Sequence, residues 1–294
     1  MRNIFTLSLL ICVLVIACCP NVSFAGNDPF PVGARTLSLG GAYSGVRGDF
    51  WSLFNNPAGI SGMSHGEVGV YVERRFMLKE LTYGSAGFAM PFKDIHAAGI
   101  EVGTFGFDSY RETRIGLNYA ATIMDVVSLG AKVNYAILSI EGFGSTSAVY
   151  VDVGVNTQVS KTVSLGFSAL NVNRAKLVTS GEVEDRIPTV LTAGVAYKPS
   201  DKVLLLVDVQ KDIAHPVTFM GGVEYEFIDG FMARVGGSAK PRMISGGLGM
   251  NLKGIKFDFA ATYHQQLGFT PHIGLSYNFG KGVKLANMPV LEDH

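Results

Sequence analysis

From Glu67 to Phe279 the chain breaks into about fourteen segments in which apolar and polar residues alternate, separated by brief turns. In the run Val149 to Val159, residues Val149, Val151, Val153, Val155 and Val159 share one face, and Tyr150, Asp152, Asn156 and Gln158 share the other. Side chains of an extended strand point alternately to opposite sides, so this period of two predicts strands with one apolar and one polar face. The polar faces hold many charged residues, while the opposite faces are almost uniformly aliphatic or aromatic. Lipid on one side and a wet or filled lumen on the other would produce that contrast. The predicted fold is all-β, a transmembrane antiparallel β-barrel of about 14 strands with a short N-terminal plug segment.

The predicted strands run approximately 65–75, 81–91, 97–106, 112–123, 126–140, 146–159, 162–172, 188–198, 202–211, 215–227, 231–237, 243–252, 255–264 and 270–279. Tight polar turns (Lys93-Asp94, Met124-Asp125, Ser160-Lys161, Ser200-Asp201, Ile228-Asp229-Gly230, Lys253-Gly254) alternate with longer connections at 141–145, 173–187, 238–242 and 265–269. An even-stranded outer-membrane barrel needs this alternation, because both ends of its sheet lie on the periplasmic side. In hydrocarbon an unpaired backbone group costs several kcal/mol, so a sheet in lipid must close on itself.

The predicted lipid face carries Val68, Val70, Val72, Ile115, Leu117, Tyr119, Leu129, Val133, Tyr135, Phe219, Val223, Tyr225, Phe257, Phe259, Leu275, Tyr277 and Phe279. Inward charges are Glu67, Glu73, Glu101, Arg114, Lys132, Asp152, Asp208, Glu224, Glu226, Arg234, Lys256 and Asp258. Gly116, Gly130, Gly154, Gly166, Gly222, Gly249 and Gly274 also fall on inward positions and predict a crowded interior.

Composition agrees with a lipid-exposed sheet. Hydrophobic residues make up 48% and charged residues 16% of the chain, and mean hydropathy is +0.28, yet beyond residue 25 no apolar run reaches the length of a membrane helix. Formal net charge is zero, which gives no sign of a nucleic-acid partner.

Residues 1–25 read as an export signal, with Arg2, an apolar run from Ile4 to Ala17, and Ser23-Phe24-Ala25 as a small-x-small cleavage site. All three cysteines, Cys12, Cys18 and Cys19, precede that site, so the mature chain would carry no thiol. The alternative is a lipoprotein box, Val15-Ile16-Ala17-Cys18, with Cys18 acylated. Residues 26–63 differ from the rest, being rich in Gly, Pro and Asn, with an amphipathic stretch from Ala34 to Tyr43 and the only tryptophan, Trp51. They are too few for an independent domain and read as a plug or hatch segment serving a barrel of residues 64–279, with 280–294 as a periplasmic tail.

His272-x-Gly274-x-x-Tyr277-x-Phe279 resembles the last-strand signal read by the outer-membrane assembly machinery. Gly33-Ala34-Arg35, Leu39-Gly40-Gly41-Ala42, Asp49 and Asn56-Pro57-Ala58-Gly59 resemble the N-terminal signature of FadL-like and PorV/PorQ-like outer-membrane proteins, and Ser128-Leu129-Gly130 and Ser164-Leu165-Gly166 extend the likeness into the barrel. The resemblance implies fourteen strands, a plugged lumen and location in the outer membrane of a diderm bacterium. FadL-like proteins carry hydrophobic solutes, and PorV-like proteins serve type IX secretion. Long outer loops are largely missing here, which counts against both a hydrophobic capture site and a cargo-binding surface; with little room for a lipid catch site, the expected role is PorV-like envelope transport or secretion. FadL-like passive transport of hydrophobic solutes is the alternative, and a structural scaffold the second.

The expected partners are the lipid bilayer, the assembly machinery, and either secretion components or a hydrophobic small molecule. The candidate plug or gate residues are Asp49, Trp51, Asn56, Pro57, Ala58 and Gly59. Asp49 either caps a short helix or pairs with a lumenal arginine such as Arg114. The lumenal charges Arg114, Lys132, Asp152, Glu224, Arg234 and Asp258 form either a solute path or an interior network that orients the plug, and the desolvation cost of unpaired charge favours the network. Phe76, Phe107, Tyr110, Phe143, Leu267 and Phe269 either line an outer mouth or belong to an aromatic girdle. The six histidines are scattered without a nearby serine and acid at triad spacing, and neither metal-site nor cofactor motifs occur, so no enzyme is expected.

Overall fold

The computed structural model describes residues 31–280 apart from 93–94, 124–125, 179–183 and 214, together with residue 282. The export signal, its cysteines, the Lys93-Asp94 and Met124-Asp125 turns and most of the tail lie outside the described residues. In chain order the strands are β1 (Gly66–Arg74), β2 (Thr82–Phe92), β3 (His96–Phe107), β4 (Tyr110–Ile123), β5 (Val127–Ile140), β6 (Gly144–Gln158), β7 (Val163–Leu170) and the short pair β8 (Lys176–Val178) and β9 (Glu184–Arg186). They continue as β10 (Val190–Ser200), β11 (Val203–Asp212), β12 (Thr218–Ile228), β13 (Phe231–Ser238), β14 (Met243–Leu252), β15 (Ile255–His264) and β16 (Gly268–Phe279).

All strands except β8 and β9 form one closed antiparallel barrel, each paired with its sequence neighbours, and β1 closes on β16 through pairs such as Val70 with Leu275. Fourteen staves are the predicted number, and no open edge is left to face hydrocarbon. Of the predicted lipid-facing residues only Phe279 is not exposed. It is half-buried, its ring stacked on Phe88 at 5.5 Å. The predicted inward charges all lie on the opposite parity, buried or half-buried.

The β7 stave is short. It ends at Leu170, so β6 above Val153 has no ladder partner on that side. The connection that follows stands in for a strand: Val172 N–H donates to the Val151 carbonyl at 2.9 Å, and the Asn173 side chain bonds Val151 N–H and the Val149 carbonyl at 3.0 and 3.1 Å. Beyond it the β8–β9 hairpin leaves the wall, and Leu177 and Ile187 join Leu138 and Tyr150 in an apolar cluster inside the outer half of the barrel.

The main core is the N-terminal segment enclosed by the sheet. Leu39, Ala42, Tyr43, Phe50, Trp51, Leu53 and Ile60 are all at most 1% exposed. Within the segment, α1 (Ala34–Ser38) ends where Gly40 and Gly41 turn at positive φ. Then α2 (Ser52–Asn55) gives way to a 3-10 turn over Pro57–Gly62.

Candidate functional site

Small inward residues ring the barrel at the level of the N-terminal segment and leave room for its backbone. A Cβ on Gly130 would sit 2.4 Å from the Ala58 nitrogen, one on Gly154 2.1 Å from Asn56 Oδ1, and one on Gly166 1.8 Å from the Ser44 oxygen. Across the lumen, a Cβ on Gly222 or Gly236 would lie 2.6 or 2.4 Å from the Leu39 backbone. Only glycine permits such approach of wall to segment. The high glycine content of the inward face is the mould of this segment.

Asn56 is fully buried and central to the seat. Its Nδ2 donates to the Ser44 carbonyl at 2.7 Å, and its Oδ1 accepts from Ala58 N–H at 3.1 Å, capping the turn that Pro57 opens. Asn118 of β4 reaches the Pro57 carbonyl at 3.3 Å. On β11, Asp208 Oδ2 accepts from Tyr43 N–H, Ser44 N–H and the Ser44 hydroxyl at 2.9, 2.9 and 2.8 Å.

A second set of contacts is ionic. Arg35 of α1 donates to both Glu224 oxygens at 2.9 and 2.7 Å and to Asp49 at 2.6 Å. Arg234 bridges Glu224 and Asp258, each at 2.5 Å. Asp49 also accepts from the Tyr43 hydroxyl and from Trp51 N–H at 2.5 and 2.9 Å, so it holds the start of α2. Burial would push the Asp49 carboxyl up, but Arg35, then Lys256 and the two hydrogen bonds outweigh it and hold the group below the usual carboxylate range. The cation that Asp49 finds is Arg35 of its own segment; Arg114 instead donates to the Tyr150 hydroxyl at 3.2 Å.

On the opposite wall Lys132 lies 3.1 Å from Glu101 and 3.6 Å from Asp152, and it also reaches the Leu53 and Phe54 carbonyls of α2 at 3.4 Å. The candidate lumenal charges are thereby gathered into two clusters, one bonded to each side of the segment, with Arg114 held separately by Tyr150. Asp208, predicted as an inward charge, completes the seat together with Arg35 and Asn118, which were not among the candidates. Sequence spacing carries no signal for their contacts between segment and wall, since Arg35 and Glu224, Tyr43 and Asp208, and Pro57 and Asn118 are 189, 165 and 61 residues apart.

Trp51 packs against Phe50, Phe54 and Tyr71 at centroid distances of 5.1, 5.9 and 6.1 Å. Tyr71 is stacked on His272, and its hydroxyl donates to Glu73 at 2.6 Å. His272 lies 3.0 Å from the Thr262 hydroxyl and 3.1 Å from Glu73, a grouping of histidine, hydroxyl and acid that the scattered histidine positions concealed. All four side chains are buried under the aromatic stack, where they brace β1, β15 and β16.

The two sides of the segment differ. Toward the rim where the sheet begins and ends lies a cavity of about 700 Å³ bordered by Arg35, Arg47, Lys198, Lys202, Glu226 and Lys256. Toward the other rim lies the apolar cluster of Leu138, Tyr150, Leu177 and Ile187.

No family model and no curated protein matches the chain. Solved structures do. The Ralstonia pickettii toluene transporter TbuX is similar over 86% of this chain and 100% of its own, with a TM-score of 0.66 and 14% identity. The P. putida toluene transporter TodX is similar over 86% and 99%, with a TM-score of 0.66 and 13% identity. A Pseudomonas aeruginosa FadL homologue is similar over 88% and 99%, with a TM-score of 0.58 and 12% identity. Identities this low establish a shared fold alone, the closed fourteen-stranded barrel.

Proposed function

We propose that the protein is a passive, non-enzymatic channel for small hydrophobic molecules across the outer membrane, with residues 31–63 as its plug. The observation that carries the reading is the asymmetry of the lumen. An apolar cluster lies on the outer side of the segment and a cavity lined by both charged and apolar side chains on the other. A hydrophobic solute would partition into the first and leave through the second, whose lining mixes charged side chains with apolar ones such as Val46, Leu204 and Met232. The structural neighbours described as toluene transporters support the same solute class.

Release of the plug is proposed as the gating step, with Asn56 to Gly59 as its pivot against Gly130 and Gly154. The secretion role expected from the sequence has less behind it. Apart from 171–189 the outer connections run from two residues between β3 and β4 to seven between β1 and β2, which leaves little loop surface for a protein cargo. Labelled toluene uptake by whole cells with and without the protein tests the proposal. Uptake several-fold faster with the protein is the expected result, and equal initial rates would remove it.

A further inference from the structure

Lipid-facing rows of the barrel end differently on its two halves. In β1 the row Val68, Val70, Val72 ends outward in Arg74; in β11 Val207 and Val209 lead to Lys211; in β14 Leu248 and Ile244 lead to Arg242. All three basic residues are exposed. Between them the outward rows of β12, β15 and β16 carry the exposed aromatics Phe219, Tyr263 and Phe269. On the other half the row ends are Glu80 before β2, with exposed Lys79 beside it, Asp108 after β3, Arg111 of β4 at 3.0 Å from Asp108, and Glu141 after β5. Lys211 Nζ donates to the His215 carbonyl at 2.5 Å, and the Asp212 carboxylate lies 2.8 Å from His215 Nδ1.

We infer that the arc from β11 through β16 to β1 is a binding surface for the phosphate groups of an acylated lipid in the outer leaflet. Acyl chains would lie along the aliphatic rows, the aromatic belt would mark the level of the headgroup, and Arg74, Lys211 and Arg242 would meet the phosphates. Each basic residue is three staves from the next, roughly 15 Å at a strand spacing of about 4.8 Å, so the arc engages separate phosphates instead of one. Surface attraction of this kind grows with each basic residue near the anionic layer. The inference rests on the outer-membrane placement of the barrel and is independent of the proposed solute transport.

Native mass spectrometry of the full barrel in uncharged detergent tests it, using as probes a glucosamine-disaccharide lipid bearing two phosphates and the same lipid without them. The wild-type protein is expected to retain the phosphorylated lipid about tenfold or more over the other. A triple variant, Arg74→Gln, Lys211→Gln and Arg242→Gln, is expected to lose that preference, while Arg111→Gln on the opposite half keeps it. Equal retention of the two lipids by the wild type would overturn the inference whether or not the triple variant folds. So would a folded triple variant, verified by heat-modifiable mobility, that keeps the preference.

Discussion

Arg35 in the enclosed N-terminal segment, the proposed plug, and Glu224 in the wall are joined by two parallel hydrogen bonds of 2.9 and 2.7 Å, although 189 residues separate them. The same carboxylate is held by Arg234. Removing one partner leaves the others charged in a largely dehydrated place, and such a loss costs about 3 kcal/mol. Glu224→Gln is therefore expected to loosen the plug without opening the barrel. Trp51, the only tryptophan, is 1% exposed and reports on it: acrylamide should quench its fluorescence more readily in the variant. Unchanged quenching would show that the pair does not hold the plug.

The glycine seat leads to a steric expectation. At Gly154 even a methyl group would meet Asn56 Oδ1 at 2.1 Å, and at Gly130 it would meet plug backbone at 2.4 Å. Overpacking of this kind costs about 1–3 kcal/mol. Because the strands around both glycines remain paired, the strain should fall on the plug: Gly154→Val is expected to keep its heat-modifiable mobility while Trp51 becomes quenchable.

Acid should act on the plug late. The Asp49 carboxyl is held below its ordinary range by Arg35, against the effect of burial, so its contribution to plug seating is complete above that range and is lost only as pH falls through the depressed value. Trp51 emission should show a step at a pH below the ordinary carboxylate range. Asp49→Asn should remove that step, and its persistence in the variant would contradict the assignment.

Val133 projects outward from the middle of β5 and is 49% exposed, between Leu117 and Val151 on the neighbouring staves. Arginine there is expected to destabilise the membrane-inserted barrel by about 2–4 kcal/mol. Urea unfolding in lipid vesicles would measure it. Full stability of Val133→Arg would mean that this face does not meet hydrocarbon.

Much of this architecture is legible in the sequence for a physical reason: lipid and lumen impose opposite demands on alternate residues, so Val149, Val153 and Val155 announce their face as plainly as Asp152 and Asn156 announce theirs. The strands 243–252 and 255–264 coincide with β14 and β15. Inward glycines were readable as crowding, though not as the imprint of Leu39, Ser44 and Asn56. The β8–β9 hairpin has strands of three residues, too short for any alternation to show. Partners also escaped prediction. Nothing near Asp49 distinguishes Arg35 from Arg114, and nothing near Asp208 foretells two backbone N–H groups of the plug, because barrel closure sets which distant residues meet.

The proposed gating step can be tested with a reversible tether. Ala34 lies in α1 of the plug, and a Cβ built on Gly274 of β16 would be 3.5 Å from the Ala34 Cβ, within disulfide reach. In cells carrying Ala34→Cys with Gly274→Cys, oxidation should reduce labelled toluene uptake to the rate of cells lacking the protein, and a thiol reductant should restore it. Unimpaired uptake through a barrel whose plug is verified as cross-linked would contradict the account.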